Sequence, residues 1–244
     1  MTDWQILFYV LLFIVAFLYA SVGHGGASGY LALMAVFSYT AAVMRPTALI
    51  LNLFVSAVAF FQYYRSGYFR WNLFWPFAIA SVPAAFIGGM ITIDEGIYKK
   101  ILAVFLLISV VRLIGLNFQT SYILKKQNLL ASILIGMLIG FLSGMIGIGG
   151  GIILSPLLLL FHWADMKETA AVSALFIFVN SAAGLAGLLY DKFNFDLSLL
   201  PLIIIAFAGG SAGAYLGANK FKISGLRYIL SGVLVIAAVK LLFT

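Results

Sequence analysis

The sequence predicts an all-α polytopic membrane protein built from two homologous halves, and three observations predict it. Of 244 residues, 64% are hydrophobic and only 9% are charged, against about 25% charged in an ordinary soluble domain. Several apolar runs reach the ~20 residues a helix needs to cross a bilayer. A glycine-rich motif occurs twice, each time early in a half of the chain. The length suffices for one soluble core, but 7 acidic and 14 basic residues cannot coat a soluble protein of 26.5 kDa. Lipid must therefore be the solvent for most of the surface.

The net charge of +7 does not point to nucleic acid. The basic residues stand singly or in pairs at the ends of apolar runs, the pattern of cytoplasmic membrane loops. The absence of cysteine excludes disulfides and thiolate metal sites. The first residues lack a basic leader and a small-residue cleavage site, and read as mature structure.

The first apolar segment runs from Trp4 to Phe37 and is interrupted at Ser21–Gly29. Pro46–Tyr64, Trp71–Ile93 and Ile97–Leu116 follow. A polar connector, 117–127, carries Lys125 and Lys126 and separates a first repeat, 1–116, from a second, 128–244. Together they form one transmembrane domain. The second half opens with Asn128–Phe161, interrupted at Gly147–Gly151, and continues with Glu168–Tyr190, Leu197–Ala218 and Ile223–Leu242. Tyr63, Tyr64, Tyr68, Trp71, Trp75 and Trp163 stand near segment ends, where amphipathic rings favour the headgroup level. His162, beside Trp163, reads the same way.

The repeat is visible residue by residue. Phe17-Leu-Tyr-Ala-Ser-Val-Gly-His-Gly-Gly-Ala27 aligns without gaps on Phe141-Leu-Ser-Gly-Met-Ile-Gly-Ile-Gly-Gly-Gly151. Thr47-Ala-Leu49 pairs with Ser173-Ala-Leu175, and Tyr64 with Tyr190. Ala80, Ala84 and Gly88 fall opposite Gly209, Gly213 and Gly217; Gly136, Gly140 and Gly144 form another stripe. Small residues four apart let helix backbones approach closely in lipid, so these stripes predict helix packing rather than a site.

Each interrupted segment would run about 50 Å as a straight helix at ~1.5 Å per residue, against a hydrocarbon core of about 30 Å. It must bend, either as a broken span or as a hairpin returning to its own side. The positive-inside rule chooses. If all eight segments cross, the basic residues divide seven against seven. If the interrupted segments are hairpins, Arg65, Arg70, Arg112, Lys125, Lys126, Lys167, Lys220, Lys222 and Arg227 face Arg45, Lys99, Lys100, Lys192 and Lys240, nine against five. The hairpin arrangement restores the expected bias. One hairpin and three crossings per half turns the second half over, giving an inverted repeat. It places both termini outside the cytoplasm, in a multi-pass protein of the cell (inner) membrane.

The two breaks carry the chemistry. Non-helical backbone at membrane depth is tolerated only inside protein or beside a watery cavity, and paired breaks at matching repeat positions point to a transporter's central site. Glycine uncovers backbone N–H groups, and the half-helix after each break aims its positive dipole end there, which makes an anion site. Neither break holds an aspartate or glutamate, which would be expected for a metal-cation cargo, and this favours an anion. The candidate substrate-binding residues are Ser21, Gly23, His24, Gly25, Gly26 and Ser28 in the first break and Ser143, Gly147, Gly149, Gly150 and Gly151 in the second. Asn52 and Asn180 join them from the flanking helices. No catalytic set, metal site or cofactor is assigned. His24 is the one ionisable side chain inside a break, opposite Ile148 in the repeat. It reads either as an imidazolium that meets the anion and couples proton movement, or as a neutral ring bonded to a nearby carbonyl or hydroxyl. Asn52, Ser56, Gln62, Ser173, Asn180 and Ser181 either line the cavity or bond helix to helix. Arg45 and Lys167 read as solvated loop charges or as cations that draw anions to the entrance.

On Gly147-Ile-Gly-Gly-Gly151, the matching Gly23-His-Gly-Gly-Ala27 and the two-repeat layout, the chain resembles the TauE/SafE sulfite exporter family of membrane transporters over essentially its whole length. The resemblance implies a carrier of small sulfur-containing anions such as sulfite, organosulfonates or thiosulfate, with a site formed by the two helix-turn-helix segments. Where the second break has Gly151, the first has Ala27, and His24 lies within it. Three rivals stay open. Gly26-Ala-Ser-Gly29 matches the Gly-x-Ser-Gly of rhomboid-type intramembrane serine proteases, with His24 as the nearest base. A membrane scaffold or assembly factor without transport is the second, and a cation carrier the third. No ATP-binding Gly-x-x-x-x-Gly-Lys-Ser/Thr loop occurs, so a secondary carrier is expected, driven by an ion gradient (with a proton or sodium ion as the candidate coupling ion), the membrane potential or the substrate gradient, with homo-oligomerisation open.

Overall fold

The computed structural model describes residues 3–21, 23–115, 124–192, 199–219 and 226–243. Among them there are ten helices and no strand. The first half holds α1 (Asp3–Ala20), α2 (Ala27–Val36), α3 (Ala41–Arg65), α4 (Trp71–Met90) and α5 (Glu95–Gly115). The second holds α6 (Leu129–Ile146), α7 (Gly151–Leu160), α8 (Met166–Lys192), α9 (Leu200–Asn219) and α10 (Leu226–Phe243). Among the described residues six helices, α1, α3, α4, α6, α8 and α9, are long and apolar enough to cross a membrane.

Each interrupted segment is a hairpin of unequal arms, 18 and 10 residues long. At the open end of the first, Phe8 of α1 packs against Phe37 and Tyr39 beyond α2, with ring centroids 5.1 and 5.5 Å apart. At the open end of the second, the Lys125 N–H before α6 donates to the His162 carbonyl beyond α7 at 2.8 Å. The short arms thus run back toward the side from which the long arms came.

The long arms pack into the opposite half. α1 lies along α9 and α6 along α4, while α3 meets α8 at the centre and α5 meets α10. The glycine stripes account for this packing. A Cβ on Gly136, Gly140 or Gly144 would collide with the carbonyls of Phe77, Ser81 and Ala85 on α4. One on Gly209, Gly213 or Gly217 would collide with those of Phe13, Phe17 and Ser21 along α1. In lipid, where burial of apolar surface gives little drive, such close backbone contact is the main attraction between helices.

Two interfacial readings and one loop reading change in the structure. Trp71 and Tyr64 are well exposed, as membrane-edge rings should be, but Trp163 is buried with its ring 6.2 Å from that of Phe77. Tyr63 is also buried, and its hydroxyl donates to the Ser21 carbonyl at 3.0 Å. Arg45 is no loop charge either. α3 begins at Ala41, which carries Arg45 into the first turns of the helix and leaves it 7% exposed. Its guanidinium donates to the carbonyls of Gly88, Gly89 and Ile91 at the end of α4 and of Gly144 near the end of α6, at 2.7–3.2 Å. Lys167 does the same at the other end of the molecule, its Nζ donating to the Ala218 carbonyl at 2.5 Å. Cations placed on helix C-termini complement the negative end of the dipole.

Candidate functional site

Both breaks have the same backbone construction. α1 ends with Gly23 in the left-handed region at φ +74°, the Gly23 N–H donating to Ala20 and the His24 N–H to Tyr19. This is a Schellman closure, in which glycine adopts the positive φ that other residues resist. In α6 Gly147, at φ +89°, holds the matching place, and the Ile148 N–H donates to Ser143. The short arms then start from Gly26 at φ +95° and Gly150 at φ +80°. Two helix N-termini, with their positive dipole ends, are left without a side-chain cap.

The two breaks meet on α3 and α8. A Cβ at Gly25 would stand 2.6 Å from Asn52 Oδ1 and 2.8 Å from Ile177 Cγ2. A Cβ at Gly149 would stand 2.7 Å from Asn52 Nδ2, 2.8 Å from the same Ile177 methyl and 2.9 Å from Ser181 Oγ. Asn52 and Ile177 are thus the wedge between the breaks, and both glycines are needed for backbone to approach them. Asn52 Nδ2 donates to the Ile148 carbonyl at 3.4 Å and to Ser181 Oγ at 3.2 Å, while its Oδ1 has no hydrogen-bond partner among the described residues.

His24 links the hairpins directly. Its Nε2 lies 2.9 Å from Ser155 Oγ on α7, which is 2.8 Å from Ser173 Oγ on α8 and donates to the Gly151 carbonyl at 2.8 Å. Ser155 has one hydroxyl proton. With that proton on Gly151, Nε2 must carry a proton and Ser173 must donate. His24, Ser155 and Ser173 are all buried, so any charge that His24 takes up is held away from solvent.

The other candidates divide by what they touch. Ser21 Oγ donates to the Leu18 carbonyl at 2.7 Å, and Ser28 Oγ is 2.6 Å from the Tyr19 hydroxyl, so both hydroxyls are engaged inside the first hairpin. Ser28 Oγ is thus placed on Tyr19, and His24 Nε2 on Ser155. Gly23 packs on Ala170, Gly26 on Tyr30, Gly150 on Phe176 and Gly147 on Arg45. Asn180 donates to the Phe176 carbonyl at 2.8 Å, and its Oδ1, like Ser143 Oγ, is buried without a partner among the described residues. Sequence reasoning missed Ser155 and Tyr30. Ser155 was hidden in an apolar run, although its place one turn after Gly151 puts it on the break side of α7. Among the described residues no cluster of His, Asp or Glu is arranged to hold a metal ion.

The family model described as sulfite exporter TauE/SafE matches residues 8–241. A probable membrane transporter protein, y4hK of Sinorhizobium fredii, is 38% identical over 236 residues, covering 95% of each chain. The probable membrane transporter protein MJ0441 of Methanocaldococcus jannaschii is 26% identical over 199 residues, 77% of this chain and 74% of that one. YunE of Bacillus subtilis, also named a probable membrane transporter protein, is 30% identical over 111 residues, 46% of this chain and 40% of its own. No solved structure matches.

Proposed function

This chain belongs to the sulfite exporter TauE/SafE family of membrane transporters, and from that premise we propose that it is a secondary carrier of a small sulfur-containing oxyanion. The observation that carries the reading is the meeting of two uncapped helix N-termini, in two glycine breaks of the same construction, on the single Asn52–Ile177 wedge. Each terminus contributes ~0.3–2 kcal/mol toward a negative charge. That binds an anion weakly enough to release it, as a carrier requires. The groups are buried; in this reading that is a closed state, and cargo enters when one hairpin moves away from the wedge. Alternating exposure of the site to the two sides gives transport. In this reading the second half is inverted relative to the first, and the ends of α3 and α8 carrying Arg65 and Lys167 face the cytoplasm. His24, with Ser155 and Ser173, is the group through which a proton couples to the cycle.

The test is uptake of labelled sulfite into liposomes holding the purified protein, beside sulfate, thiosulfate, a small organosulfonate and chloride, with and without a pH gradient. Saturable flux of a sulfur anion is the expected result. No flux of any of them through folded, inserted protein would refute the reading.

A further inference from the structure

We infer that the site reads a proton on its cargo: it takes a small oxyanion carrying an O–H in preference to one of equal charge and size that carries none. The inference rests on the anion-carrier reading and narrows its substrate class.

The two helix N-termini offer only donors, which suit any oxyanion alike. The wedge between them is different. Asn52 is fully buried, and the bonds from its Nδ2 to Ile148 and Ser181 fix which way the amide faces. Turned over, it would set its oxygen against the Ile148 carbonyl oxygen. Oδ1 therefore points to Gly25 at the first break, a buried acceptor with no donor among the described residues. Such an atom is destabilising until a donor reaches it. One residue on, the Tyr30 hydroxyl is also buried and without a partner among the described residues, lying 2.6 Å from where a Cβ of Gly26 would stand. The first break thus presents backbone N–H groups, one hydroxyl that can donate, and one acceptor.

An anion with acceptors alone satisfies the donors but meets Asn52 Oδ1 with lone pairs. A hydrogen-bearing oxyanion, hydrogensulfite among the sulfur anions, turns its unprotonated oxygens to the N–H groups and its O–H to Oδ1. A buried site built to bond a hydroxyl rejects the analogue that lacks it, because its own polar group is left unpaired. The titratable groups at this place include Tyr30, Tyr19, whose hydroxyl meets Ser28, and His24, joined to Ser155. The test therefore changes the ligand at constant pH.

Full-length protein in micelles is titrated with sulfite and with methanesulfinate at one mildly acidic pH, where sulfite is mostly singly protonated. Both ligands are then monoanions of similar size, a hydroxyl on one standing where the other has a methyl. Hydrogensulfite is expected to bind about tenfold or more tightly, and the ratio to fall to about twofold or less in Asn52→Leu, which has no acceptor. Equal binding, or preference for methanesulfinate, overturns the inference and leaves the anion reading standing. An unchanged ratio in Asn52→Leu overturns the assignment to Asn52. If that variant does not fold, the ratio in the unaltered protein decides. Binding of neither anion to folded protein refutes the anion reading and the inference with it.

Discussion

Replacing Gly149 by alanine separates the two things this glycine does. Its backbone has φ +76°, and an added Cβ would meet Asn52 Nδ2 at 2.7 Å, Ile177 Cγ2 at 2.8 Å and Ser181 Oγ at 2.9 Å. The left-handed backbone costs an L-residue about 1–2 kcal/mol. Pushing back three buried neighbours adds about 1–3 kcal/mol. Gly67 supplies the control: its φ is +77°, and nothing lies within 4 Å of its Cβ position. Gly67→Ala should therefore lose only the first term, ~1–2 kcal/mol, and Gly149→Ala should lose ~2–5 kcal/mol. Equilibrium unfolding of both purified variants in mixed micelles measures the difference. If the second term acts on closure of the site, liposome flux of Gly149→Ala falls about 5- to 150-fold below that of Gly67→Ala, the range that 1–3 kcal/mol of coupling spans. Equal unfolding losses would refute the steric argument. Equal flux in the two variants would remove the second break from the transport cycle.

Three further predictions follow from named contacts. Arg45→Met removes the guanidinium N–H groups that tie the ends of α4 and α6 together, and should cost about 3 kcal/mol or more of stability in the same unfolding assay; Arg45→Lys should recover only part, since an ammonium lacks the planar fork that reaches several carbonyls. An unfolding midpoint unchanged in Arg45→Met would show that these contacts contribute nothing. His24→Gln and Ser155→Ala should each lower flux or flatten its dependence on pH between about 5 and 8, because each breaks the His24–Ser155 link; unaltered profiles in both variants would make the link purely structural. Finally, the natural absence of cysteine permits single-cysteine labelling of the two ends of α3. Tyr39→Cys should react with an impermeant maleimide from outside intact cells and Ser66→Cys only after permeabilisation, and the reverse pattern would overturn the proposed orientation.

The elements were legible because helix length, apolarity and glycine breaks are local properties. Runs of about 20 apolar residues mark spans whatever packs on them. A 34-residue segment with glycines in its middle must bend, wherever its partners lie. The stripe Gly136, Gly140, Gly144 announced a close helix contact through its spacing alone. The identity of the partner did not follow from that spacing, and it proved to be α4 of the other half, approached through the carbonyls of Phe77, Ser81 and Ala85.

The candidate site was legible in outline for the same reason. Its backbone is dictated by Gly23, Gly26, Gly147 and Gly150, whose left-handed φ values need no long-range information. Side-chain roles were a different matter, because they depend on atoms brought from far along the chain. Arg45 reads as a loop charge until Gly144, 99 residues away, presents its carbonyl. Ser155 reads as one polar residue in an apolar run until His24, 131 residues away, meets it. Ser21 and Ser28 looked like ligand hydroxyls, yet Leu18 and Tyr19 in the same hairpin engage them.

The sequence by itself determined that this chain lives in lipid, that its spans are helical, and that two glycine breaks interrupt them at matching positions, since each rests on residue type and spacing within a few turns. Only the tertiary structure decided that the breaks share Asn52 and Ile177, and that His24 is tied to Ser155. It also decided that Arg45 closes helix ends rather than facing solvent. Hydrogen bonds and close contacts act over about 3 Å, and no local pattern states which distant residues will come that near.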